Sequence, residues 1–269
     1  RAMTEKQPNS PMGPHLSGTI ALLQGNHEVA EKAFKNALAL QPDYFPSVNK
    51  LAQIAMANRD LEQARQLFIN LNALGDDNER AQLALVDLDI MSQEFDAALS
   101  RARQIVETNP RSLRGHLGLA RILLAMGRFD EADSAISQAS ENVGESTDLL
   151  FIEADLSLRQ GDFERASKVA RTLQADAHRY ANNAKFLSSL GILEQKTNQL
   201  TAARNNLQMA IKLDPKAPAN VLLSLIKVEL GNLDHVEAQK HLDALIERQI
   251  ETEAVALLQA EIHLVAKDK

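Results

Sequence analysis

The sequence predicts an all-α protein built as a superhelical solenoid, a series of antiparallel helix pairs stacked side by side. Three observations carry that prediction. The stretch GNHEVAEKAFKNALALQP has Gly25, Ala30, Phe34, Ala37 and Pro42 at offsets 5, 9, 12 and 17. Alanine then returns at a fixed interval: Ala30, Ala64, Ala98, Ala132 and Ala166 are each 34 residues apart, and Ala203 and Ala238 continue the series after small insertions. A period of that length, with a turn residue near its middle, fits two short helices per unit. Composition is the third. Hydrophobic residues make up 45% but aromatics only 4%, with no Trp, so packing must be aliphatic and rich in alanine. That suits closely spaced helices.

The elements follow in order. Residues 1–10 are polar, with Pro8 and Asn9, and read as a tail or a tag remnant. The array is expected over residues 11–266, as about seven repeats and a terminal helix. Repeat 1, about 11–44, starts its short first helix near Pro14, which a first turn tolerates. Gly18 lies where two helices must approach closely, Gly25 makes the turn, and Pro42 stops the second helix. Repeat 2, about 45–78, puts Leu51 and Ala52 on an inner face, with Ala64, Phe68 and Leu71 at the spacing of one helical face. Repeat 3, about 79–112, has Leu85, Val86, Ala98, Ala102 and Ile105 and is closed by Pro110. Repeat 4, about 113–146, has Leu119, Ala120, Gly127, Ala132, Ile136 and Ala139, with Gly144 in place of the terminal proline.

Repeat 5, about 147–180, has Leu150, Ala154, Gly161, Ala166, Ala170 and Leu173. Residues 181–183 then read as an insertion. Repeat 6, about 184–217, has Leu187, Leu190, Gly191, Ala203, Leu207, Ala210 and Pro215. Repeat 7, about 218–251, has Val221, Leu225, Ala238, Leu242 and Leu245, and its inter-helix turn, GNLDH from Gly231, reads as about one residue longer than the template. Residues 252–266 make one more amphipathic helix, either a cap over the last pair or the first helix of a further repeat.

Composition also bounds function. The net charge is -7 with signs interspersed, which speaks against a nucleic-acid partner, since that needs a basic stripe with aromatics to stack on bases. There is no cysteine, so disulfides, thiolate metal sites and cysteine catalysis are excluded. No apolar run approaches the roughly 18–20 residues of a membrane span, and the opening RAMTEKQPNSPM reads as a point inside a longer protein rather than a signal peptide.

Catalytic and metal motifs do not stand out, and an enzyme, a metal and a cofactor are all not expected. His27-Glu28 begins HEVAE, without the second histidine of a zinc-protease helix. His235 and His241 are six apart, which does not bring two ligands onto one helical face. The Gly115–Gly118 pair lies inside a helix, and no G-x-S-x-G occurs. Met56, Met91 and Met126 read as core filler. The turn Gly75-Asp76-Asp77-Asn78 lacks the twelve-residue ligand pattern of a calcium loop.

The pattern of a small residue at the eighth place, alanine at the twentieth, an apolar residue at the twenty-fourth and proline near the thirty-second resembles the tetratricopeptide-repeat (TPR) family over residues 11–266. The resemblance implies a right-handed superhelix that docks proteins. The chain departs from the pattern at the fourth place (Pro14, Val48, Gln82, His116, Leu150, Leu187, Val221) and at the eleventh, where an aromatic is usual and here stand Ala21, Ala55, Asp89, Leu123, Ser157, Glu194 and Val228. Within the family, residues 5–68, and above all ALQPDYFPSVNKLAQ at 39–53, are similar to the long TPR lipoproteins of bacterial PEP-CTERM/exosortase systems. That similarity implies a periplasmic parent attached to the outer membrane, encoded with exopolysaccharide and protein-sorting genes.

In a stacked array the first helices line the concave side, and their second, fifth, ninth and twelfth residues share one face. Those places hold His15 and Thr19, Asn49 and Gln53, then Arg80, Leu83 and Asp87, then Arg114, Leu117 and Arg121, then Phe151 and Asp155, then Lys185, Ser188 and Ile192, and finally Leu222 and Ile226. Asp87, Arg121 and Asp155 alternate in sign at intervals of 34. Read as a site, they are a polar strip for an extended peptide, flanked by Leu83, Leu117 and Phe151. Read as structure, they are ion pairs between repeats, worth about 0–1 kcal/mol each when exposed. The strip does not resemble the carboxylate clamp that holds chaperone C-termini, because Thr19 and Gln53 stand where asparagine would serve. The expected function is a non-enzymatic protein-docking scaffold. The alternative is a self-assembling segment that forms homo-oligomers through its terminal helix at Leu257, Leu258 and Ile262.

Overall fold

The structure, a computed structural model, describes residues 9–75, 79–250 and 252–267. Most of the tail expected over 1–10 and the aspartates of the Gly75–Asn78 turn lie outside them. The described residues are all-helical, with fifteen α-helices, one short 3-10 helix and no strand.

The helices fall into two compact units that divide after Gly144. The first unit holds four pairs: α1 (Met12–Leu23) with α2 (His27–Leu40), α3 (Phe45–Ala57) with α4 (Leu61–Asn72), α5 (Glu79–Met91) with α6 (Phe95–Thr108), and α7 (Leu113–Ala125) with α8 (Phe129–Val143). The second holds three pairs and a terminal helix: α9 (Thr147–Gln160) with α10 (Phe163–Ala175), α11 (Ala184–Lys196) with α12 (Leu200–Leu213), α13 (Ala219–Gly231) with α14 (His235–Glu247), then α15 (Glu253–Lys267). The 3-10 helix Ala177–Tyr180 precedes α11.

All seven pairs turn in the same way. The N–H of the residue before the second helix closes back onto a carbonyl five residues earlier: Asn26 to Ala21, Asp60 to Ala55, Glu94 to Asp89, Arg128 to Leu123, Asp162 to Ser157, Gln199 to Glu194 and Asp234 to Glu229, at 2.7–2.9 Å. This six-to-one bond satisfies a carbonyl that the ending helix leaves open. It requires a left-handed residue just before, and glycine supplies it at Gly25, Gly127 and Gly161. Arg59, Gln93, Asn198 and Leu233 adopt the same conformation without being glycine. Asp60, Asp162 and Asp234 also cap the helix that follows by accepting a backbone N–H.

The repeated alanine sits where the two helices of a pair touch. Ala30, Ala64, Ala98, Ala132, Ala166, Ala203 and Ala238 are all 0% exposed. The small residue facing them is equally constrained. A Cβ on Gly18 would stand 2.7 Å from the Phe34 ring, and one on Gly191 2.7 Å from Leu207.

Repeat 7 departs from the expected frame. Its turn is no longer than the others, since α13 and α3 both span 13 residues before the same six-to-one bond. The extra residue instead lies ahead of α13, in the segment that holds Pro215 and Pro218. Every position on α13 therefore shifts by one. Glu229, not Val228, is the equivalent of Asp89 and Glu194. Leu222 and Ile226, expected on the groove face, are core residues packed with Leu242 and Leu258. The terminal helix packs Val255, Leu258 and Ile262 onto the last pair, so of the three residues expected at an open end only Leu257 is exposed.

Candidate functional site: first-helix strips and the carboxylates beneath them

Most of the side chains expected on the groove face stand at the surface of their own unit. In the first unit, Asn49 is half-buried and Gln53 accepts a hydrogen bond from Lys50 Nζ at 3.1 Å on α3. Arg80 lays its guanidinium 5.7 Å from the centre of the Phe45 ring, within cation–π range. Leu83 is half-buried, while Asp87, Arg114 and Arg121 are exposed. Loss of water around Asp87 raises its carboxyl above the ordinary value, and the Arg121 charge opposes that rise. Leu117 is buried in the core of its pair and has little surface to offer a partner. His15 packs at a tilt against Phe34 and edge-on against Tyr44, and pairs with Ser47 Oγ through Nδ1 at 3.1 Å. Burial, and next the Lys50 charge, hold it below the usual histidine value.

In the second unit, Asp155 accepts from Arg159 Nε on its own helix at 3.0 Å. The Ser188 hydroxyl turns back to the carbonyls of Ala184 and Lys185. Phe151 and Lys185 instead meet in a depression of about 270 Å³ between α9 and α11. The Phe151 ring stands edge-on to Phe186 at 5.7 Å, and Tyr180 stacks on Phe186 at 4.2 Å. Thr147 and Asp148 close one side, and Asn183 and Ser189 the other. Sequence reasoning missed Tyr180 and Phe186. The signal available was the three-residue break in the period, beside aromatics in a chain that has few.

A second feature, absent from the sequence reading, is a set of wholly buried acids at the place where the repeats diverge from the aromatic pattern. Asp89, Glu194 and Glu229 are each 0% exposed. Burying a lone charge is costly, so each needs a partner. Asp89 of α5 is held by Arg65 from the preceding pair and by Arg101 Nε of its own pair at 3.2 Å. Arg65 also reaches Glu94 Oε2 at 3.1 Å. Glu229 of α13 repeats the arrangement: Arg204 from the preceding pair donates Nε at 2.8 Å and also reaches Asp234 Oδ2 at 3.0 Å. His241 lies nearby, held below its usual value first by burial, against the pull of Glu229 and Glu237.

Glu194 is treated differently. The position that carries arginine at the other two junctions holds Ser167 here, which receives a hydrogen bond from Gln199 at 3.4 Å. Glu194 Oε2 accepts from Asn206 Nδ2 at 2.8 Å, and the same amide reaches Gln174 Oε1. Its Oε1 has no hydrogen-bond partner among the described residues. Burial pushes the Glu194 carboxyl up to about 7, with the Asn206 bond opposing.

Among the described residues no group of three or more His, Asp or Glu side chains is placed to hold a metal ion. No helix there is long and apolar enough to cross a membrane.

A family profile described as tetratricopeptide repeat matches residues 21–88 and 89–150. The chain is also similar to the crystal structure of yeast Tom70, with a TM-score of 0.69 at 19% identity, covering 97% of this chain and 56% of that one. The fold is that of a tetratricopeptide-repeat solenoid. By sequence the chain is 27% identical over 246 residues to human tetratricopeptide repeat protein 21B, which is 88% of this chain. It is 26% identical over 148 residues, 52% of this chain, to mouse tetratricopeptide repeat protein 21A. It spans only 18% and 11% of those two relatives. The profile points to the TPR family over the residues it matches, and the structural likeness shows the fold.

Proposed function

We propose that this chain is a non-enzymatic scaffold that docks a partner protein along the first-helix strips of its repeats. The observation that carries the reading is the contrast on those helices. On α5 and α7 most other positions are buried or half-buried, yet Arg80, Asp87, Arg114 and Arg121 stand exposed at repeat intervals. Charged side chains of both signs at such spacing suit an extended polypeptide with matching charges.

The setting is part of the same proposal. We place the parent in the periplasm, attached to the outer membrane as a lipoprotein and working in a bacterial envelope complex for exopolysaccharide production or PEP-CTERM protein sorting. The support is the similarity of residues 39–53 to those lipoproteins. The test is a crosslinked pull-down from native cell envelopes, read by mass spectrometry, comparing the chain with a variant carrying Asp87→Ala, Arg121→Ala and Asp155→Ala. A partner held by the first and lost by the folded variant supports docking on the strip. Equal capture refutes it.

A second reading, homo-oligomerisation through α15, has its own support in Leu257 and Leu264, which are 59% and 64% exposed there. A mass that rises with concentration in light scattering, and stays monomeric after Leu257→Gln and Leu264→Gln, would favour that reading over partner docking.

A further inference from the structure

The 270 Å³ depression between α9 and α11 has features that the rest of the strip lacks. It exists because the 3-10 helix and the extra residues before α11 bring Tyr180 over Phe186. Phe186 is itself 6% exposed, whereas Phe151 and Tyr180 are half-buried and also line the opening. Aromatic rings attract other rings at their edges and faces.

Two charges flank this aromatic patch from opposite helices. Asp148 lies in the first turn of α9 and Lys185 in the first turn of α11. Asn183 Oδ1 is already spent on the Phe186 N–H at 3.0 Å, so its amide NH₂ is the group it has left to offer. The volume falls just under the roughly 300–1,000 Å³ of sites that enclose a whole small molecule. It suits one large side chain with a short length of backbone.

We infer that this depression is a peptide subsite that takes an aromatic side chain flanked by one basic and one acidic residue, the base meeting Asp148 and the acid meeting Lys185. The inference rests on the docking reading above and names the chemistry of one part of that surface. A peptide crossing from α9 to α11 places unlike charges on the two sides of its anchor, so two like charges leave one rim residue facing its own sign.

The chain has no Trp, so a tryptophan peptide reports its own burial by fluorescence without background. The probes are four blocked tripeptides: Lys-Trp-Glu, Glu-Trp-Lys, Glu-Trp-Glu and Lys-Trp-Lys. On the unaltered chain, at least one mixed-charge peptide shifts its emission to the blue and binds about two- to fivefold more tightly than both like-charge peptides, the range exposed ion pairs supply. Lys185→Glu, an exposed first-turn change that the helix dipole favours, transfers the preference to Lys-Trp-Lys. Tyr180→Ala abolishes the blue shift. The subsite is overturned if no peptide shifts, or if Lys185→Glu leaves the order of affinities unchanged. It is also overturned if Tyr180→Ala binds as the unaltered chain does. Any of these results alongside loss of the native partner in the Asp87/Arg121/Asp155 variant removes the subsite and leaves the docking reading standing.

Discussion

Asp87 and Asp89 stand two residues apart on α5 and meet opposite surroundings. Asp87 is exposed on the strip, with the Arg121 charge acting on it from α7. Asp89 is sealed between two arginines, one of them from the pair before. The first can be removed with little change in packing. The second cannot, because Arg65 and Arg101 would lose the charge that holds them. The difference teaches that one helix can carry an exposed charge on one face and, two residues on, a buried charge that ties it to the preceding pair.

The largest effects should come from breaking the register side. Arg204→Ala strands Glu229 in the interior without its cation, which costs roughly 3–5 kcal/mol. The same change at Arg65 costs about 2 kcal/mol, the scale of a hydrogen bond to a charged group, because Arg101 still holds Asp89. Urea unfolding of the two variants should reproduce that order. Equal losses would mean that Arg101 does not share the charge.

Glu194 sharpens the comparison, since it is the junction acid without an arginine. Its native value of about 7 lies above the ordinary 4.5. The native state therefore holds that proton more tightly than the unfolded chain. The stability this supplies is full below pH 4.5 and is lost as pH rises through 7. The span is on the order of 3 kcal/mol. Glu194→Gln should raise the urea midpoint at pH 8, leave it nearly unchanged at pH 4.5, and flatten the slope between. A steeper slope would contradict the assignment.

Smaller still is the effect at the turns. Gln93 holds a left-handed conformation that glycine adopts freely. Gln93→Gly should gain about 0.5–1 kcal/mol, the relief of the left-handed penalty less the added freedom of glycine when unfolded. Asp155→Ala removes a pair within one exposed helix and should shift the thermal midpoint by less than about 0.5 kcal/mol allows.

Much of the fold was legible because it rests on local rules. Ala30 and its six counterparts mark helix contacts too close for a larger side chain, and that constraint repeats visibly along the sequence. The seventh repeat misled because one added residue before α13 looks the same in sequence as one added in the turn. Only the six-to-one bond from Asp234 to Glu229 tells them apart. The strip was legible as a periodic set, but not the fate of each member. Leu117 is buried and Ser188 bonds its own helix. Of the buried acids, Asp89 and Glu194 were seen as departures from a pattern without their burial or partners, and Glu229 was missed because the frame put Val228 in its place. Arg65 is 24 residues from Asp89, and nothing local links them. Tyr180 is the last residue before the break at 181–183, where the periodic pattern assigns no role.

The most direct measurement sets the two aspartates of α5 against each other, with urea unfolding and native-partner capture both read on Asp87→Ala and on Asp89→Asn. The account predicts that Asp87→Ala keeps its urea midpoint and captures less partner, while Asp89→Asn unfolds at lower urea and, wherever it is still folded, captures as the unaltered chain does. Undiminished capture by Asp87→Ala, or loss of capture that tracks stability in both variants, would contradict it.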